Sequence, residues 1–285
     1  MEINSKNSKK YALIGYPLGH SMSPIIHKEL LKIASVNGKY DLAEILKEDL
    51  ETSFYEKLKR LNGFNITIPH KINIIPLLDK LSPKAKLFGS VNTVDIKDNK
   101  TIGYNTDCDG FLRSLEAENI KLAGNVLICG SGGVSRMFAF ESALAGAEVT
   151  LAVRNSSLNA ANDIKKEMQE KLSKDCNIIF LSEAKGGYDL IINGTPVGMY
   201  PNIDNSPLEE KVIKSSKAVF DAIYNPIETK FIKYAREGGL KYVNGLPMLV
   251  WQAAVAEEIW NDVKFSKEDI NKVIDITKKE LEKHE

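Results

Sequence analysis

Lys71 and Asp107 are the residues of this 285-residue chain whose types best suit the movement of a proton. Burial lowers a lysine's proton affinity and a neighbouring carboxylate raises it, so together they form an adjustable acid–base pair. Lys71 ends the run Asn65-Ile66-Thr67-Ile68-Pro69-His70-Lys71, in which Asn65 and Thr67 fall on the same face of a strand. Asp107 ends Asn105-Thr106-Asp107, and Ser90-Val91-Asn92-Thr93 adds more hydroxyls and amides. A further group, His20-Ser21-Met22-Ser23-Pro24, sets two hydroxyls at a helix start, where the dipole favours a carboxylate. Taken singly, each residue has a plainer reading as a solvated lysine, a turn asparagine or a cap. Ser23 stands where an N-cap belongs and Pro24 at the first helical position. His20, His27 and His70 are read as capping or partly buried side chains before they are read as bases.

A second chemistry lies downstream. Gly130-Ser131-Gly132-Gly133-Val134-Ser135 follows the apolar run 125–129 and opens a helix. Gly130 permits a tight turn, Gly132 lets backbone approach a pyrophosphate, and Ser135 is small where helix meets strand. The strand–loop–helix context makes this a dinucleotide site. The next strand ends at Val153-Arg154-Asn155-Ser156-Ser157, with Arg154 where an NAD site usually carries an acid. A guanidinium suits a 2′-phosphate, so the expected cofactor is NADP, with Asn155 and the serines adding hydrogen bonds.

The elements that must hold these groups are legible from periodicity. Strands are expected at 11–16, 39–46, 64–69, 90–96 and 101–106, the last two flanking the turn Asp98-Asn99-Lys100. Helices are expected after Pro24, over 48–61 and over 108–119. From 125 onward strands (125–129, 147–153, 177–181, 188–194, 218–224) alternate with helices, which implies a doubly wound parallel sheet. Helices near 246–260 and 266–284 close the chain. The fold class is α/β in two domains: 1–108 for substrate, 109–240 of Rossmann type, and 241–285 as C-terminal helices packing back on the first.

Composition narrows the function. Apolar residues make up 43% and charged residues 27%, the balance of a globular chain. Lys plus Arg and Asp plus Glu are each 38, which argues against bulk capture of nucleic acid or an anionic membrane. The three cysteines are far apart, and the four histidines, His284 included, show no ligand spacing, so no metal is expected. The polar start and the lack of a long apolar run make a cytoplasmic location the expectation.

The segments GYPLGHSMSPIIH, NGFNITIPHK, SVNTV, GYNTDCDGF, GSGGVSR, NGTPVGM, DAIYNP and NGLPMLVWQAA occur in this order over about residues 11–260. As a set they resemble the shikimate dehydrogenase family. The resemblance implies an NADP-linked oxidoreductase of aromatic amino acid (chorismate) biosynthesis that interconverts 3-dehydroshikimate and shikimate. It implies Lys71 and Asp107 as catalytic residues, and Ser21 and Ser23 on the substrate carboxylate. Asn65, Thr67, Asn92, Asp107, Tyr224 and Gln252 would also contact substrate. Gly130, Ser131, Gly132, Gly133, Val134, Arg154, Asn155, Thr195 and Gly245 would contact the cofactor, and a homodimer stays open. Leu158 replaces a second arginine common in the family, and Pro247 a common glycine. NGTPVGM and MLVWQ also resemble the branch that takes quinate and NAD, so a quinate/shikimate dehydrogenase is the alternative. A non-catalytic dinucleotide sensor is the alternative of another class, and Lys71 with Asp107 speaks against it. A folate-linked dehydrogenase of similar plan fits HSMSP and NTD poorly.

Overall fold

The structure, a computed structural model, describes residues 8–19 and 21–283, so His20 and His284 lie outside the described residues. The chain divides into two compact units, Met1–Gly110 with Leu249–Glu285, and Phe111–Met248. No helix among the described residues is long and apolar enough to cross a membrane.

In the first unit the elements run β1 (Lys9–Gly15), α1 (Ser23–Ile33), β2 (Gly38–Glu44), α2 (Leu50–Glu56), β3 (Gly63–Ile66), α3 (His70–Asn73), β4 (Lys80–Leu81), α4 (Pro83–Phe88), β5 (Thr93–Lys97) and β6 (Lys100–Tyr104). The sheet order is β2-β1-β3-β5-β6-β4. The β2-β1-β3 portion is parallel, and β5 and β6 form an antiparallel hairpin beside β3. β1 is buried on both faces: Ala12 and Ile14 join one apolar cluster, Tyr11 and Leu13 another. That explains an unbroken apolar run where a half-exposed strand would alternate. The expected helix over 48–61 is shorter than its pattern, because Lys57 leaves helical geometry and Leu58–Arg60 continues as a 3₁₀ turn.

The second unit holds the rest of α5 (Asp107–Ala117), then β7 (Asn125–Cys129), α6 (Gly133–Leu144), β8 (Glu148–Val153), α7 (Leu158–Leu172), β9 (Asn177–Phe180), β10 (Leu190–Asn193), α8 (Glu210–Lys214), β11 (Ala218–Asp221), α9 (Lys230–Glu237) and β12 (Lys241–Val243). Its sheet is parallel throughout, in the order β12-β11-β10-β7-β8-β9. Counted from β7, this is the 3-2-1-4-5-6 order of a Rossmann sheet, whose switch point falls between β7 and β10. Residues 241–248, expected with the C-terminal helices, belong here instead, because Lys241–Val243 pairs with β11 as an edge strand. Neither α9 nor β12 is evident in the sequence reading. Phe231, Ile232 and Ala235 do carry a helical spacing, and Thr229 caps the helix by accepting a bond from the Ile232 amide.

α10 (Gly245–Asn261) starts in the second unit and continues from Leu249 in the first, followed by α11 (Lys267–Leu281). Trp260 on α10 anchors it: the indole nitrogen donates to the Val94 carbonyl at 2.9 Å, and the ring stacks on Tyr11 at 4.6 Å. Gly63 makes room for that indole, since a Cβ there would collide with it. Gly63→Ala is therefore expected to destabilise the protein by about 1–3 kcal/mol, the usual range for overpacking. Urea unfolding checks this; an unchanged midpoint means the indole shifts freely.

Candidate active site

Ser21, Ser23, Asn65, Thr67, Lys71, Asn92, Asp107 and Gln252 all belong to the first unit. Most of them sit near strand ends, while Gln252 lies within α10. β1 leads to the Ser21–Ser23 turn and α1, β3 to Thr67 and α3, and β6 to Asn105–Asp107 and α5. The Thr67 amide donates to the Ile14 carbonyl at 2.9 Å, so the chain past β3 stays registered on β1.

Lys71 Nζ donates to Asp107 Oδ2 at 2.7 Å, and the two side chains keep 32% and 24% of their surface exposed. The pair is thus reachable by a ligand. Asn92 Nδ2 donates to the other carboxylate oxygen at 2.8 Å. The Asn92 amide cannot turn over without loss, because its Oδ1 accepts from the Thr106 amide at 2.7 Å. Thr93 and Thr106, both fully buried, add hydroxyls to the same oxygen. Gln252 on α10 lies at the edge of this set, its Oε1 3.5 Å from Asn92 Nδ2 and from Thr106 Oγ1.

Asn65 extends the network toward β2. Its Nδ2 donates to Thr93 Oγ1 at 2.9 Å and to the Asn92 carbonyl at 3.2 Å, while its Oδ1 accepts from Tyr40 at 2.8 Å. Burial, with the nearby Glu257 carboxylate, raises the Tyr40 phenol above its ordinary range, which keeps it a donor. Hydrogen bonds therefore join Tyr40 on β2 to the Lys71–Asp107 pair through Asn65 and Asn92. Tyr40 carries no sequence signal: it comes from β2, far from every motif.

The α1 N-terminus corrects one expectation. The helix begins at Ser23 itself, with Met22 at the cap position and no side-chain cap bond. Ser21 Oγ instead accepts the Ser23 amide at 3.2 Å, and no acidic residue occupies the first turn. Ser23 is thus not spent on capping. The plainer reading does win for two histidines. His27 is fully buried and its Nδ1 lies 2.6 Å from Glu257, while His70, also fully buried, donates from Nε2 to the Ile45 carbonyl at 2.7 Å.

Gly130–Val134, Arg154, Asn155, Thr195, Tyr224 and Gly245 belong to the second unit. Gly130 has φ +102°, a left-handed backbone that side chains avoid, and Thr195 and Ser135 crowd the place of a Cβ. Gly132 and Gly133, by contrast, open α6 onto free space. Ser135 is fully buried, and its hydroxyl donates to the Gly194 carbonyl at 3.2 Å. Ser131 Oγ donates to the Ser157 carbonyl at 3.3 Å, tying the glycine loop to the turn that carries Arg154. Arg154 is exposed, and its guanidinium has no partner among the described residues; α7, which follows, has no acid in its first turn. Arg136 is committed elsewhere: its fork holds Glu167 at 2.6 and 3.2 Å, and it lowers that carboxyl to about 2. Tyr224, half-buried, has its phenol raised by burial. Gly245 packs against the Ala222 carbonyl too tightly for a Cβ.

Asp221 and Asn193, which open the segments DAIYNP and NGTPVGM and carry no assigned role in the sequence analysis, end the adjacent strands β11 and β10. Burial pushes the Asp221 carboxyl up to about 7, against the pull of bonds from Thr229, Ile223 and Asn193. In the unfolded chain an aspartate titrates near about 4. Between about pH 4 and 7 the folded protein keeps this proton and the unfolded chain has lost it, so stability falls as pH rises. Relative to Asp221→Asn, the wild type is expected to lose stability from about pH 5 to about pH 8. Urea midpoints at both pH values test this, and parallel changes in the two proteins contradict it.

The model for the shikimate dehydrogenase substrate binding domain matches residues 13–94. A shikimate dehydrogenase (NADP(+)) of Methanococcus maripaludis strain C6 is 43% identical over 281 residues, covering 95% of this chain and 99% of that protein. The chain belongs to the shikimate dehydrogenase family. Among solved structures, a shikimate dehydrogenase in complex with NADP+ is 39% identical at TM-score 0.86, covering 94% of this chain and 95% of that one. The Thermus thermophilus shikimate 5-dehydrogenase in complex with NADP(H) and shikimate is 31% identical at TM-score 0.84, covering 94% and 99%. The family's fold, an α/β substrate unit and a Rossmann unit, is the one described above.

Proposed function

We propose that Lys71 and Asp107 manage the proton in an NADP-dependent interconversion of 3-dehydroshikimate and shikimate. Family membership makes the chain an oxidoreductase of aromatic amino acid biosynthesis, and the 2.7 Å Lys71–Asp107 pair is the observation that carries the proton assignment. NADP supplies or accepts the hydride when bound. The second unit suits it: Gly130 to Val134 offer an open helix start for a pyrophosphate, and Arg154 and Asn155 offer a 2′-phosphate donors without a competing acid. Thr195, beside Gly130, and Gly245, packed on Ala222, serve as further cofactor contacts.

In the reducing direction Lys71 Nζ gives a proton to the oxygen that becomes the hydroxyl. Asp107 keeps the ammonium aimed, and Asn92 holds Asp107 in place. In the reverse direction Lys71 takes the proton back. Ser21 and Ser23, at the positive end of α1, receive the substrate carboxylate. Thr67, Asn92, Asp107, Gln252 and Tyr224 receive the ring hydroxyls. Asn65 lines the same pocket beside Thr67, its amide hydrogens on Thr93 and the Asn92 carbonyl. The protein works as a cytoplasmic enzyme, and a homodimer is its proposed assembly.

The test is turnover of the purified protein on shikimate or quinate, each with NADP+ or NAD+. Activity confined to shikimate with NADP+ is expected. Comparable rates with quinate or NAD+ move the chain to the dual-specificity branch, where Leu158 in place of an arginine is the relevant departure. Cofactor binding without any turnover favours the sensor reading.

A further inference from the structure

Asp221 accepts three hydrogen bonds and faces no cation among the described residues. Oδ1 accepts from Asn193 Nδ2 at 3.0 Å and from the Ile223 amide at 3.1 Å, and Oδ2 accepts from Thr229 at 2.6 Å. Asp221 and Asn193 are opposite each other in the β10–β11 register, and both are fully buried. An uncompensated acid is a costly residue to keep there. When it is ionised, both of its oxygens only accept. Asn193 must therefore turn its NH₂ toward Asp221 and its carbonyl oxygen away.

That choice propagates. Asn193 Oδ1 accepts from the Thr195 amide at 3.0 Å and the Thr195 hydroxyl at 2.7 Å. Thr195 Oγ1 in turn accepts the Val197 amide at 3.2 Å. The Gly194–Val197 turn is strung on one asparagine amide, and it packs on the glycine loop: Thr195 and the Gly194 carbonyl crowd Gly130, and Ser135 donates to that carbonyl.

We propose that Asp221 is a positioning residue for cofactor binding, acting through Asn193 to set the turn that abuts the Gly130 loop. The proposal rests on the reading that this loop holds NADP. Asp221→Leu in the full-length enzyme removes both acceptor oxygens and leaves the Asn193 amide, the Ile223 amide and the Thr229 hydroxyl without this partner; it is assayed at about pH 8.5 so that the wild-type carboxyl is ionised. NADPH Kd, followed by cofactor fluorescence, and KM for NADP+ are expected to rise about tenfold or more. KM for shikimate is expected to hold, because the groups assigned to shikimate lie in the first unit apart from Tyr224. An equal rise in both KM values, or an unchanged NADPH Kd, overturns the role. Asp221→Asn is the conservative control: its Oδ1 can still accept from Asn193 and Ile223 while its NH₂ donates to the Thr229 hydroxyl, so NADPH Kd is expected to stay within a few-fold of wild type. A rise as large as that of Asp221→Leu overturns the role of acceptor geometry. If Asp221→Leu does not accumulate folded, Thr229→Val removes one donor and keeps the acid. It is expected to raise NADPH Kd and leave shikimate KM alone; an unchanged NADPH Kd overturns the role. Wild-type protein that fails to bind NADPH sinks the cofactor reading itself, whereas wild type and Asp221→Leu binding equally sinks only the positioning role.

Discussion

Lys71→Ala loses kcat by about 10²–10⁴, the usual worth of a positioned acid–base group, and still binds NADPH. The loss follows from what the side chain touches. Nζ lies 2.7 Å from Asp107 and remains partly exposed, so it can reach a ligand while Asp107 holds it in place. Removing it leaves Asp107 with the Asn92 amide as its side-chain donor, and no ammonium to give a proton to the reacting oxygen. NADPH binding survives because the glycine loop and Arg154 belong to the other unit. Single-turnover kinetics with NADPH fluorescence separate the two effects. Near-full turnover in Lys71→Ala removes the catalytic assignment, and lost NADPH binding means the substitution disturbed more than the proton step.

Arg154→Asp raises KM for NADP+ by about 10²-fold or more and leaves KM for NAD+ within a few-fold. The guanidinium stands exposed at the end of β8 without a partner among the described residues, and no acid opens α7. A 2′-phosphate would be met by one fork of donors, and the aspartate replaces that attraction with repulsion. Leu158 offers no second charge to compensate. Steady-state KM values for both cofactors decide the matter. Equal changes for NADP+ and NAD+ mean that Arg154 does not read the 2′ position, and the NADP preference then lies elsewhere.

Much of this arrangement is legible in the sequence because its chemistry is local. Gly130, Gly132 and Ser135 follow an apolar run and open a helix, so the requirement and the residues stand side by side. The polar clusters are likewise short, and each marks a strand end. What escapes the sequence is non-local pairing. Tyr40 is an unremarkable residue of β2 until folding sets its hydroxyl 2.8 Å from Asn65. Asp221 and Asn193 stand 28 positions apart and meet because β10 and β11 are neighbours. The N-cap reading of Ser23 failed by a single residue, since a capping motif cannot tell whether a hydroxyl is spent on the helix or held for a ligand. β12 went unread because three residues of an edge strand, two of them exposed, carry little periodicity.

Trp251 and Trp260, the chain's two tryptophans, both lie on the part of α10 that belongs to the first unit. Intrinsic indole emission is therefore a report from one half of the molecule. Trp260, packed on Tyr11 beneath the sheet, changes its surroundings when that half melts, while the Rossmann half unfolds without an indole to record it. Emission and far-ultraviolet dichroism followed through the same denaturant series thus act as separate gauges. Coincident curves mark one cooperative transition, and a lag between them gives the order in which the halves come apart.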